Sequence, residues 1–208
     1  YLPTTGEIER RFNYAPEKGQ DSPLLKEAVH ALEATPYTVD KRMLSIAQQV
    51  QAKLGTEDAD GYVIAGSLKM DSELAYFSEF KGDRRGRLYQ AACHGPNGQA
   101  SDRSRALMDL AGVTTDYDVP TVKKAIMAEI EDMTKNVRAA AKLRTELGDV
   151  AFIISQLDLM KKDRLVAKPW SFVKAARIMK ALKLGNKPYI GMAVGLDAKC
   201  SGPQLGAL

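Results

Sequence analysis

Apolar residues recur at three- and four-residue steps over most of the chain, the spacing that gathers them on one side of an α-helix. Pro23, preceded by the capping oxygens of Asp21 and Ser22, opens the first such run, in which Leu24, Leu25, Ala28, Ala31 and Leu32 form the apolar side before Thr35-Pro36 ends it. A second starts near Thr38, with Val39, Met43, Ile46, Ala47, Val50 and Leu54 in step until Gly55. Helical spacing returns over residues 101–111, from Pro120 to about Leu147, over 149–161 and over 171–184. In the last of these Phe172, Val173, Ala176, Met179 and Leu182 share a side, and Gly185-Asn186 is a stop signal.

Two stretches break this period. Leu88 to Ala92 follows a charged, glycine-bearing approach and precedes the turn-forming His94-Gly95-Pro96-Asn97-Gly98, which reads as a strand and a loop. Tyr189 to Leu196 is short and apolar and stops at Asp197, which reads as a buried strand delivering a carboxylate at its end. The order predicts an α+β chain, predominantly helical, with helices around a small antiparallel sheet. The polar stretch Gly55 to Gly61 looks like a joint, and no internal repeat is visible.

Composition supports a packed globular chain: of 208 residues, 45% are hydrophobic and 27% charged, which excludes a disordered polymer. No stretch approaches the roughly 18 apolar residues that span a bilayer, and Tyr1 to Glu7 carries no secretory apolar core. A cytoplasmic protein without a membrane partner is therefore expected. Cys93 and Cys200 are far apart, with only His30 and His94 to assist them, so free thiols are expected rather than a zinc site. The net charge of +4 is unevenly spread. Residues 81–105 hold six basic and two acidic side chains, and residues 161–187 hold nine and one. Such patches suit a polyanion, although a basic helix face turned to solvent gives the same count.

Two segments carry candidate chemistry. Asp83-Arg84-Arg85-Gly86-Arg87 places three guanidinium forks around a glycine just before a strand; each fork can grip phosphate oxygens in two places, Gly86 permits close backbone approach, and Asp83 would orient an arginine. An arginine-rich surface turn is the plainer alternative. Asp197-Ala198-Lys199-Cys200-Ser201-Gly202 closes a hydrophobic strand with a carboxylate suited to a divalent cation, or with an ordinary turn residue.

Taken in order, these motifs resemble the phage and mitochondrial single-subunit RNA polymerases. Asp83-Arg84-Arg85-Gly86-Arg87-Leu88-Tyr89 is similar to the family's DxxGR motif, followed by a proline-glycine turn, Pro96-Asn97-Gly98, and by Asp102. Asp197 to Gln204 resembles polymerase motif A, and Ala31-Leu32-Glu33 with Thr35 to Lys41 resembles the helix pair before the palm. The resemblance implies the N-terminal half of a right-hand polymerase palm with flanking helices. Residues 1–60 would be a helical region preceding the palm, and 61–208 the DxxGR strand and loop, a helical segment and the first palm strand ending in motif A. It further implies that Asp197 holds magnesium (Mg2+), that the Ala198 carbonyl adds a ligand, and that Arg85 and Arg87, with Asp83, Arg84 and Gly86 in the same motif, contact the template-RNA hybrid. Ala198 and Pro203 depart from the family's usual glycine and larger apolar residue.

Motifs B and C, which bind the incoming triphosphate and supply the second metal-binding aspartate, are not found in these residues. The implied protein is the smaller subunit of a split phage polymerase, acting in the cytoplasm of an infected bacterial host. Its partners would be a second subunit with motifs B and C, a DNA template, the RNA product and ribonucleoside triphosphates. The rival expectation is a non-catalytic basic helical nucleic-acid-binding protein or scaffold. His94 would meet a phosphate or base, or only solvent; Trp170 would stack on a base or anchor a core; Met43, Met127, Met160 and Met179 lie at core spacing. The basic run 161–187 would follow a nucleic-acid backbone or face an acidic partner surface.

Overall fold

The computed structural model describes residues 23–55, 67, 75–82, 88–90, 96–157 and 164–192. Helix α1 (Pro23–Glu33) is followed by strand β1 (Tyr37–Val39) and helix α2 (Lys41–Leu54). Strands β2 (Phe80–Gly82) and β3 (Leu88–Gln90) come next, then helix α3 (Asp102–Leu107), which runs directly into strand β4 (Met108–Leu110). Helices α4 (Val119–Met133), α5 (Val137–Leu147), α6 (Asp149–Leu157) and α7 (Pro169–Lys183) complete the described elements. The molecule is mostly helical with a small antiparallel sheet content, as the patterning predicts.

Local chemistry explains the boundaries. Thr38 and Val39 belong to a strand, so the helix expected near Thr38 begins only after Asp40, whose Oδ1 accepts from Arg42 N at 2.9 Å and Met43 N at 3.0 Å. At its other end Gly55 takes a left-handed φ of 65°. The helix expected over 101–111 stops at Leu107, and its last turn is instead a strand, because Met108–Leu110 pairs with Tyr37–Val39. The long helix expected from Pro120 to Leu147 is two, separated where Thr134 is extended and Asn136 caps α5 by accepting from Ala139 N at 3.0 Å. The expected joint over 55–61 and the boundary at residue 60 lie, apart from Gly55, outside the described residues.

Helix α7 is the centre of the core. Its first turns are buried on every side, Phe172 lies 5.5 Å from Phe152 of α6 between ring centroids, and Met43, Val50, Leu107, Ile126, Ile130 and Val173 fill the remaining space. Met43 and Met179 are core residues, Met127 packs against the core, and Met160 lies outside the described residues. Trp170 is 3% exposed with the Arg103 guanidinium 5.7 Å from its ring centroid, so it is a packing anchor and not a free stacking platform. Among the described residues no helix is long and apolar enough to cross a membrane.

Candidate functional site

Four stretches of extended backbone lie side by side and connect the regions that bear the two motifs. In the centre β1 and β4 are antiparallel, with Tyr37 opposite Leu110, Thr38 opposite Asp109 and Val39 opposite Met108. On the free side of β1, Tyr37 and Tyr76 exchange backbone hydrogen bonds of 2.8 and 2.7 Å. On the free side of β4, Leu110 N donates to Gly191 O at 2.7 Å, and the Tyr189 hydroxyl donates to Leu110 O. At spacings of about 4.8 Å, three steps put Tyr76 and Gly191 roughly 14 Å apart. Among the described residues Tyr189 to Met192 makes this one backbone–backbone bond and is not a regular strand, contrary to the pattern-based expectation; residues 193–196 lie outside the described residues.

The first edge leads to a two-stranded pairing. β2 and β3 are antiparallel with Gly82 opposite Leu88, so the two residues that flank the segment 83–87 are held about 5 Å apart. Side-chain amides fasten β3. Gln99 donates through Nε2 to Leu88 O at 3.1 Å and accepts from Gln90 N at 2.6 Å, taking the place of a neighbouring strand. Gln90 in turn accepts from Gly98 N at 2.8 Å and donates to Ser78. Asn97 N donates to Ser104 Oγ at 2.7 Å, which joins the turn 96–99 to α3. On the far side, the buried Glu33 carboxylate accepts from Phe80 N at 2.8 Å. Asp83, Arg84, Arg85, Gly86 and Arg87 themselves, and His94, lie outside the described residues.

At the second edge is a buried ion cluster that sequence patterning does not reveal. Lys174 of α7 is 4% exposed, and its Nζ lies 2.7 Å from Asp109 Oδ1 and 3.7 Å from Asp40 Oδ2. It also donates to Met108 O at 2.6 Å and Ala106 O at 3.0 Å. One ammonium therefore ties α7 to the end of α3, to β4 and to the cap of α2. Burial pushes the Asp109 carboxyl up to about 6, with Lys174 pulling it down and Asp40 adding to the rise. Gly191 packs directly on Asp109: a Cβ there would stand 2.5 Å from Asp109 Cβ and 2.8 Å from Leu110 O. The sequence shows Lys174 as one charge in a basic run; its partners are more than sixty residues away, and no local signal marks it as internal.

Asp102, the acidic residue after the proline-glycine turn, joins α3 to α7. Its carboxylate accepts from Trp170 N at 2.8 Å, Ser171 N at 3.2 Å and the Ser171 hydroxyl, capping a helix whose own N-cap, Lys168, contributes no side-chain bond. Burial moves its carboxyl upward, opposed by those hydrogen bonds and by Arg105.

The basic run is partly internal. Lys174 is buried, Arg164 donates to the carbonyls of Val166 and Ala167, Lys168 lies 3.8 Å from Asp132, and Arg177 lies 3.7 Å from Asp149. Lys180, Lys183 and Lys187 are exposed.

A metal site needs several hard oxygen ligands. Among the described residues no group of three or more His, Cys, Asp or Glu side chains is gathered for one. The acidic pair Asp40 and Asp109 already holds the Lys174 ammonium, so it does not fit a divalent cation. Asp197 and Ala198 lie outside the described residues. No family model matches the chain, and no curated protein matches it.

Proposed function

We propose that this chain is a subunit of a heterodimeric phage DNA-dependent RNA polymerase, contributing the DxxGR segment and the motif A aspartate to a site completed by a second polypeptide. The observation that carries the reading is that residues ahead of each motif, Tyr76 and Gly191, hydrogen-bond to the same two-stranded sheet. The backbone that leads to Asp83 hydrogen-bonds to the outer edge of β1, and the backbone that leads to Asp197 hydrogen-bonds to the outer edge of β4. Six residues separate Gly191 from Asp197, a reach of at most about 20 Å. Two segments remote in sequence therefore start out from one platform.

In this reading the RNA 3′ hydroxyl attacks the α-phosphate of a ribonucleoside triphosphate; a new O–P bond forms, the bond to the β-phosphate bridge breaks, and pyrophosphate leaves. Asp197 and the Ala198 carbonyl would hold magnesium, which supplies charge stabilisation for this displacement. Arg85 and Arg87 grip phosphates of the template-RNA hybrid, Gly86 lets the strand come close, and Asp83 steadies a neighbouring guanidinium. The side-chain clamp of Gln99 and Gln90 holds β3, the strand that follows those arginines in sequence, and so fixes one end of the segment that carries them. The burial of Lys174 and the donation of Arg164 to backbone carbonyls remove two charges of the basic run from any binding face, which counts against the rival of a simple basic nucleic-acid-binding helix face.

Copurification tests the proposal. The chain, isolated from cells expressing its natural neighbours, is expected to bring down a polypeptide carrying motifs B and C, identified by mass spectrometry, and the pair is expected to extend RNA on a DNA template. A chain that purifies alone and supports no synthesis with any copurifying polypeptide contradicts it.

A further inference from the structure

A cleft of about 540 Å³ opens between the start of α2, one side of α7 and residues 188–191. That volume falls in the range of small-ligand sites. Four basic and two acidic side chains line it. Lys174 is occupied by Asp109 and Asp40, while Arg42 lies on one wall and Arg177 on the other. Arg42 is exposed, and the nearest Arg177 nitrogen to Asp149 is at 3.7 Å, longer than a hydrogen bond, so that this guanidinium is oriented but keeps its donors. Tyr189 contributes a 41% exposed ring, steadied by its hydroxyl on Leu110 O.

We propose that this cleft binds a nucleotide without the use of Asp197, with the phosphate held between Arg42 and Arg177 and the base lying on the Tyr189 ring. Two guanidinium groups on opposite walls can share one phosphate, and an aromatic face accepts any base. The dense internal bonding of the floor keeps the acidic pair turned to Lys174 and not to the ligand.

The test is fluorescence anisotropy in EDTA, which silences a magnesium-dependent centre, on the protein as it purifies with any partner. Two probes separate a free nucleotide from a unit in a strand: a fluorescent ATP analogue and a labelled single-stranded oligonucleotide of about eight residues, within the range of common single-strand site sizes. At least one probe is expected to bind. Arg42→Ala and Arg177→Ala together should weaken it at least about tenfold and flatten its salt dependence, and Tyr189→Leu at least about fivefold. Lys142→Ala, on the solvent face of α5, should change nothing. Arg42→Ala alone, at an exposed position, keeps the test valid if the double variant fails to fold. Absence of binding by both probes, affinities unchanged by the arginine variants, or loss of binding in Asp197→Ala would each overturn the proposal. Failure of RNA synthesis with cleft binding intact would instead count against the polymerase reading alone.

Discussion

Lys174 and Asp109 form an ion pair in which each charge is made tolerable by the other. Lys174 is buried, yet three oxygens lie within hydrogen-bond distance of its ammonium with the Asp40 carboxylate at 3.7 Å, and removing either partner would leave a buried charge without its counterion. The raised Asp109 carboxyl gives this pair a pH signature. Because its folded value of about 6 lies above the ordinary 3.8, the native state binds the proton more tightly than the unfolded chain between those limits. The contribution of Asp109 to stability therefore falls as pH rises from 4 to 6, by on the order of 3 kcal/mol. Urea titrations of the parent and Asp109→Asn should show a stability difference that declines across that window; a flat or rising difference would contradict the assignment. None of this was legible in the sequence. Lys174 lies at a helical position flanked by apolar residues, where the same letters describe a long side chain reaching to solvent, and only the fold brings Asp40 and Asp109 to it. Gly191 was equally silent, since its need for a bare Cα comes from Asp109 and not from a turn.

Among elements, the helices were readable and the strands mostly were not. A helix of eleven or more residues repeats its apolar step several times, as in α2 and α7, so chance agreement is improbable and stop signals such as Gly55 and Gly185 fall where expected. A three-residue strand offers one alternation. β1 and β4 were absorbed into neighbouring helical patterns because Val39 and Leu110 fit either period, and what decides for strand is their mutual pairing. The link between α3 and α7 is likewise tertiary, as Asp102 caps a helix that starts 67 residues later at Pro169. Replacing Asp102 by alanine should destabilise the protein by about 0.5–2 kcal/mol, the range for loss of a helix cap. Chemical denaturation measures it. An unchanged midpoint would show that water caps α7 as well as the carboxylate does.

At the scale of the whole molecule, the candidate site was legible as an ordered pair of motifs, an arginine-glycine segment ahead of a strand and an aspartate at the end of an apolar run. What the fold adds is that the backbones approaching both are bonded to the same pair of strands. The sequence could not supply this, because the bridging residues Tyr76, Leu110 and Gly191 have no side-chain signature for the partners their backbones choose. The proposed polymerase function depends on Asp197 more than on any other residue. Its most direct test is template-directed RNA synthesis by the complex of this chain with its copurified partner, comparing the parent with Asp197→Ala at matched DNA occupancy. RNA made is expected to fall at least about 10³-fold with DNA binding preserved; synthesis by the variant within a few-fold of the parent would contradict a metal-holding role for Asp197.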